Sequence, residues 1–288
     1  MRGQRRVTTA AIATVALLLA SALSAAPAAG TGDLVPQGRW IELKRETPDW
    51  YTPALHKRVV AAAEKGRGVP LPRRAREEKE SALLFTGIRP GSWMIFPSWC
   101  TMNFVFGSEA APYIGTAGHC TEVGDRVTIV AAPGVLMNIG TTVTSVDNGV
   151  GDDFAAIQVY PEMAQFVNPS MAVIAGPTGA VDPKFGDVIE HVGHGLAIGT
   201  GGTPRAGVVT YVGPVDAPNA YCWMGAVNLG DSGSGARNAF GEAAGNITHI
   251  YVSLRTLPAW NCGTTIGRML QLAPAGLATA SLVPDPLP

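Results

Sequence analysis

Beyond about residue 86 the sequence predicts an all-β protein, a sandwich or a pair of barrels, followed by a short C-terminal helix. Three observations predict it. Short apolar stretches recur between Gly, Pro and Asp turn signals. Period-two alternation, the mark of a half-buried strand, is visible in Val127-Thr128-Ile129-Val130 and Thr142-Val143-Thr144-Ser145-Val146. A Pro/Gly/Asp-rich stretch near Gly176–Gly186 divides the pattern into two series, which gives a sandwich or a pair of barrels.

The elements follow in chain order. Residues 1–30 read as a secretory signal peptide: Arg2, Arg5 and Arg6, an apolar run from about Ala10 to Leu23, then the small residues Ser24–Ala29. The apolar run is too short and too Ala-rich for a membrane span, so no membrane association is expected once it is removed. Residues 31–85 form a propeptide or a charged N-terminal extension. Positions 31–80 hold 11 Lys/Arg and 8 Asp/Glu, whereas 81–288 hold only 7 and 14. His56–Lys65 has helical composition, Pro70-Leu71-Pro72 ends it, and Arg73–Arg76 offers a processing protease a basic stretch. The basic run lacks interleaved aromatics, so nucleic acid is not an expected partner.

The first barrel is assigned to 86–180, with strands at Trp93–Phe96, Met102–Phe106, Tyr113–Ala117, Arg126–Ala131, Thr141–Val146, Phe154–Tyr160 and Met171–Ala175. The second is assigned to 181–275, with strands at Val188–Val192, Gly207–Val212, Ala220–Met224, Ala243–His249 and Tyr251–Leu254, and the helix at Ile266–Leu272. The Pro-rich residues 276–288 are a tail. Cys100, Cys120, Cys222 and Cys262 in an exported chain suggest two disulfides. With no Cys-x-x-Cys or His-x-x-x-His pair, no metal is expected.

Three segments carry chemistry. Serine is a weak nucleophile that needs a base in hydrogen-bond reach, an acid to orient the base, and donors for the oxyanion. Ser232 lies in Gly230-Asp231-Ser232-Gly233, where glycines permit a sharp turn, and the amides of Gly230 and Ser232 are candidate oxyanion donors. Asp231 is placed to bury its carboxylate against a backbone amide or a terminal amine. His119 ends the strand-like Tyr113–Ala117 and abuts Cys120. Asp153 heads the apolar Phe154–Val159, with Asp152 as its adjacent rival.

Thr116-Ala117-Gly118-His119-Cys120, Asp153-Phe154-Ala155-Ala156-Ile157 and Gly230–Gly233 together resemble the trypsin-like, chymotrypsin-fold serine peptidases, above all the small secreted bacterial branch of streptogrisins and glutamyl endopeptidases. Subtilisins and α/β-hydrolases arrange the three residues in other chain orders. The resemblance spans roughly residues 92–272. It implies two perpendicular six-stranded antiparallel barrels with the site in the cleft between them, and a triad of His119, Asp153 and Ser232. It also implies a bridge between Cys100 and Cys120 beside the histidine, which leaves Cys222 and Cys262 to pair. Cys222 stands farther before the serine than is usual in the family, and Ser234-Gly235 replaces a common Gly-Pro. Ser234 is therefore a decoy nucleophile. The pocket residues implied are Ala226, six places before Ser232, with Thr248 and His249 on the later wall. Without an acid at Ala226, a preference for Lys or Arg is disfavoured, and His249 facing the pocket would favour an acidic side chain. His191 and His194 are expected to be structural.

The function expected is a secreted, monomeric serine endopeptidase, made as a precursor, acting on polypeptides through an acyl-enzyme and without a cofactor. The alternatives are a peptidase-fold binding protein with a blocked cleft, or an esterase-like hydrolase on the same fold.

Overall fold

The computed structural model describes residues 38–73, 75, 87–132, 134–195, 202–213, 217–253 and 260–274. The expected signal peptide, Arg74 and Arg76 of the basic stretch, and the 276–288 tail lie outside the described residues.

Three short strands come first: β1 (Gly38–Glu42), β2 (Arg45–Glu46) and β3 (Val69–Pro70). The next seven are β4 (Trp93–Phe96), β5 (Ser98–Thr101), β6 (Val105–Ser108), β7 (Ala111–Thr116), β8 (Arg126–Ala132), β9 (Val135–Asp147) and β10 (Asp153–Val159). The last seven are β11 (Val188–Val192), β12 (Pro204–Val212), β13 (Ala220–Gly225), β14 (Gly235–Asn238), β15 (Ala243–Asn246), β16 (His249–Ser253) and β17 (Trp260–Thr264). The first sheet runs β2-β5-β4-β8-β9-β10-β7-β6, with β3 added on β9, and the second runs β1-β16-β17-β13-β12-β11-β14-β15. Every strand pairing is antiparallel.

Each sheet curls around its own core. Cys100 and Ile114, from strands near opposite ends of the first sheet, share a cluster with Ile129, Ile139 and Ile157 from its middle. In the second sheet Ala244 of β15 and Ile250 of β16 meet in a cluster with Ile189, Val209 and Trp223. Flat sheets would hold such end strands apart. Bulges supply curvature, with register shifts at Val127/Thr128 and Val130/Ala132 in β8 and at Ala156/Ile157 in β10. The all-β architecture with two antiparallel bodies and a helix at Ile266–Leu272, labelled α2 below, is the one expected. The sheets contain nine and eight strands rather than six each, partly because residues 38–70 add β1, β2 and β3.

Those N-terminal residues are woven into the body. Helix α1 (Pro53–Ala63) starts where the Thr52 hydroxyl accepts the Leu55 N–H, with proline in its first turn, three residues before the expected start. Leu55, Val59 and Ala63, spaced by four, form its buried face, while Lys57 and Arg58 point outward. Trp50, Tyr51, Leu55, Val59, Val69 and Leu71 pack with Trp93, Val130 and Leu136 of the first sheet. Fully burying Val59 alone is worth roughly 1.5–3 kcal/mol. The charges of this helix thus lie on its solvated face, while its other face packs on the first sheet.

The expected strand at Met171–Ala175 is absent. Met171 and Ala172 are buried, but Val173 and Ala175 have φ of 69° and 59°, so the chain turns back on itself. The Arg89 guanidinium holds this turn through the Ser170 and Met171 carbonyls at 2.8 and 3.3 Å. Among the described residues, no helix is long and apolar enough to cross a membrane.

Candidate active site

His119, Asp153 and Ser232 come together where the two sheets meet. β7 delivers His119 into a 3-10 turn, Gly118–Cys120, and the Cys100–Cys120 disulfide ties that turn to β5. Its closed loop of 20 residues stabilises the fold by about 3 kcal/mol on the chain-entropy estimate. The second disulfide, Cys222–Cys262, joins residues directly paired between β13 and β17.

Asp153 is the first residue of β10 and is fully buried. Its backbone is gripped by the second sheet: Thr264 Oγ1 accepts its N–H at 3.1 Å and Asn246 Nδ2 donates to its carbonyl at 2.9 Å. Its carboxylate faces the first sheet. Oδ1 accepts the Gly118 and His119 amides at 2.5 and 3.2 Å, and Oδ2 lies 2.6 Å from His119 Nδ1. An ionised carboxylate only accepts, so the His119 proton sits on Nδ1 and Nε2 is left basic. Nε2 is 2.7 Å from Ser232 Oγ. Ser232 is fully buried, and its Oγ lies 3.2 Å from the Thr248 carbonyl.

The rival residues lie elsewhere. Asp152 pairs with Arg268 of α2 at 2.7 Å and with Asn148 at 2.8 Å. Burial pushes its carboxyl upward, but the Arg268 and Asn148 hydrogen bonds outweigh this and hold it below the usual range. Ser234 is also fully buried and sits 3.3 Å from His191 Nδ1. His191 Nε2 donates to the Ala226 carbonyl at 3.1 Å, so Nδ1 accepts, with no carboxylate behind the ring. Burial pushes His191 down to about 4 despite the nearby Asp231 charge.

The turn before Ser232 is organised by a residue the sequence reading missed. The Arg205 guanidinium forks onto Asp231: Nη2 reaches Oδ1 at 2.7 Å and Nη1 bonds Oδ2. Backbone amides of Gly195 and Asn228 complete the cradle at 2.8 and 2.6 Å. Burial pushes the Asp231 carboxyl upward, but the Arg205 hydrogen bonds and charges outweigh it, so it is held below its ordinary range. The amine expected as one possible partner is thus a guanidinium from β12. Arg205 was signalled only weakly in the sequence, as one of seven basic residues in 81–288.

Gly230 has φ +106° and Gly233 φ +86°, values that L side chains rarely adopt. A Cβ on Gly233 would also meet Thr116 Oγ1 at 2.2 Å and the Thr101 carbonyl at 2.4 Å. The expected oxyanion donors differ in their present state. Gly230 N–H donates to the Leu43 carbonyl, whereas Ser232 N–H donates to no backbone carbonyl among the described residues.

Of the expected pocket residues, Ala226 is exposed, and its carbonyl is engaged by His191. Its neighbour Val227 packs instead against the apolar cluster of the second sheet, because the segment after β13 turns the Ala226 side chain outward. Thr248 is buried next to Ser232. His249 Nδ1 is 2.8 Å from Thr248 Oγ1 and 3.7 Å from Asp153 Oδ2, and its ring lies edge-on to His119. Burial lowers its pKa although Asp153 pulls the other way, so the ring favours the neutral form. His194 is buried, with Nε2 2.8 Å from the Gly91 carbonyl. Sequence spacing offered no metal pair, yet the fold brings ligand atoms of Glu42, His119 and His249 within 4.8 Å of one another. The other such group, Cys100, His119 and Cys120, has both sulfurs in a disulfide and so no thiolate to offer.

No protein-family profile and no curated protein matches the chain. Solved structures do. Thermobifida fusca protease A is 18% identical, covers 69% of this chain and 98% of its own, and superposes with a TM-score of 0.47. Cellulomonas bogoriensis chymotrypsin is 18% identical over 69% of this chain and 97% of its own, at 0.47. A glutamic acid-specific serine protease described as using a histidine triad in substrate binding is 17% identical over 68% of this chain and 100% of its own, at 0.49.

Proposed function

We propose that the chain is a secreted serine endopeptidase of the chymotrypsin type, with Ser232 as nucleophile, His119 as general base and Asp153 as the acid that orients it. One observation carries this reading: the buried line Asp153 Oδ2 – His119 Nδ1, His119 Nε2 – Ser232 Oγ, at 2.6 and 2.7 Å. Three residues far apart in sequence meet with the donor–acceptor order an acyl transfer needs.

Ser232 Oγ attacks a peptide carbonyl as Nε2 takes its proton. The oxyanion is received by the Gly230 N–H, with the Ser232 N–H beside it. The imidazolium then protonates the leaving amine, and Asp153 stabilises that cation without taking its proton. Water releases the acyl group by the reverse proton path. All the groups come from one chain, so a monomer suffices. Export is supported by the basic-apolar-small pattern of residues 1–30 and by two disulfides.

A second reading, a peptidase-fold binding protein with a blocked cleft, is favoured by the Leu43 carbonyl on the Gly230 amide. Reaction with a fluorophosphonate probe and mass mapping separates the two. Ser232 should carry the label, and Ser232→Ala should fold normally and take none. Label on Ser234, or no label on a protein freed of residues 38–43, would overturn the peptidase reading.

A further inference from the structure

Residues 38–46 cross the seam between the sheets in front of Ser232. On one side β1 extends the second sheet by pairing antiparallel with β16, Glu42 opposite His249 and Ile41 opposite Ile250. On the other side β2 pairs antiparallel with β5, Arg45 opposite Trp99 and Glu46 opposite Ser98. Leu43 and Lys44 span the gap. An extended peptide added to sheet edges by main-chain hydrogen bonds is a recurring way of binding peptides.

The contacts at Leu43 are those a substrate would make. Its N–H donates to the Thr248 carbonyl at 3.0 Å, and the same carbonyl lies 3.2 Å from Ser232 Oγ. Its own carbonyl oxygen accepts the Gly230 N–H, the donor assigned to the oxyanion. Its side chain is 1% exposed and packs with Ile189, Val209, Val227 and Ile250. The next residue, Lys44, reaches the His119 carbonyl with Nζ at 2.9 Å, and Glu42 on the other side approaches His119 and His249.

We infer that residues 38–46 occupy the cleft in the register of a peptide substrate, that Leu43–Lys44 is the first bond the site cuts, and that its pocket selects leucine on the acyl side of that bond. The inference rests on the serine peptidase reading. Ser232 Oγ would form an ester with the Leu43 carbonyl carbon as the bond to the Lys44 nitrogen breaks. His119 would pass the serine proton to that nitrogen. One water would then release the Leu43 carboxylate and restore Ser232. Until the cut, the segment competes as a tethered ligand at an effective concentration of about millimolar, so the uncut chain should be at least about tenfold less active on added peptides than the cut one. The pocket selects leucine because the cluster that receives it is apolar. Residues from Thr47 onward stay, because Trp50, Tyr51 and α1 are part of the first sheet's core.

The test follows the purified full chain and its Ser232→Ala variant by intact mass and N-terminal sequencing, with fluorophosphonate labelling in parallel. The wild type should acquire an N-terminus at Lys44 and gain peptidase activity in step, while Ser232→Ala keeps that bond. A synthetic peptide copying residues 38–47 should be cut once, after leucine. Replacing that leucine by glutamate or lysine should slow cleavage at least about tenfold, a readout that needs no folded variant. Ser232 labelling, or cleavage of other peptides, with the Leu43–Lys44 bond left intact would overturn this inference alone. A peptide cut as fast with glutamate would overturn the pocket assignment. A chain that neither labels nor cuts, even after residues 38–43 are deleted, would remove the peptidase reading beneath it.

Discussion

Replacing Arg205 by Met tests how the serine turn is held. Asp231 is completely buried and accepts four N–H groups, two of them from Arg205. Methionine keeps the apolar stem and removes the charge. Stranding one member of a buried ion pair typically costs about 3–5 kcal/mol. The Gly195 and Asn228 amides remain, and hydrogen bonds to a charged group are each worth roughly 1.5–3 kcal/mol, which places the loss near the lower end, about 3 kcal/mol. The pH dependence has a definite sign. The Asp231 carboxyl is held below its ordinary value of 3.8, so the stability that Arg205 confers is present above that pH and is lost as pH falls through the folded value. Urea unfolding of Arg205→Met and its parent, both carrying Ser232→Ala to prevent self-digestion, should differ by about 3 kcal/mol at neutral pH, and the difference should shrink as the pH falls below 3.8. In the Ser232 background, loosening the turn should disturb the Gly230 donor and lower kcat about 100-fold. A variant within about 1 kcal/mol of its parent, or a difference that does not change with pH, would refute the reasoning.

Further outcomes are expected at three other positions. His191, pushed from 6.5 to about 4 by burial, is neutral in the fold. Its contribution is present above pH 6.5 and should decay by about 3 kcal/mol as pH falls to 4, a slope that His191→Gln should flatten in the same unfolding assay. Gly118→Ala would drive a Cβ to 1.9 Å from the Val146 carbonyl oxygen, which is backbone and must move. Since Gly118 N–H also holds Asp153, this change should cost about 1–3 kcal/mol in thermal unfolding and lower kcat with little change in KM. Asp153→Asn should preserve the fold but lower kcat about 10⁴-fold, because an amide nitrogen facing Nδ1 favours the wrong tautomer.

Much of the architecture was legible because it is local. The alternation in β8 and β9, and the apolar run of β10, gave strands where the structure has them, and α2 falls on the expected residues. The apolar composition of Met171–Ala175 predicts a strand, but the backbone takes positive φ at Val173 and Ala175, beside carbonyls of Ser170 and Met171 that Arg89 holds from far along the chain. β5 and β14 escaped notice because they carry Ser98, Gly235 and Arg237, which lack strand-like alternation.

The amino-acid sequence alone determined which groups could do chemistry: a histidine after a strand, an acid heading an apolar run, and a serine between glycines. These are properties of a few consecutive residues and their backbone freedom. Only the tertiary structure shows Asp153 against His119 and Asp152 against Arg268, pairs Arg205 with Asp231, and lays Leu43 across the seam with its carbonyl on Gly230. Those partners lie 26 to 187 residues apart along the chain, apart from the two adjacent aspartates. Which of them meet is fixed by how two curled sheets bring their edges together, and no local pattern encodes that.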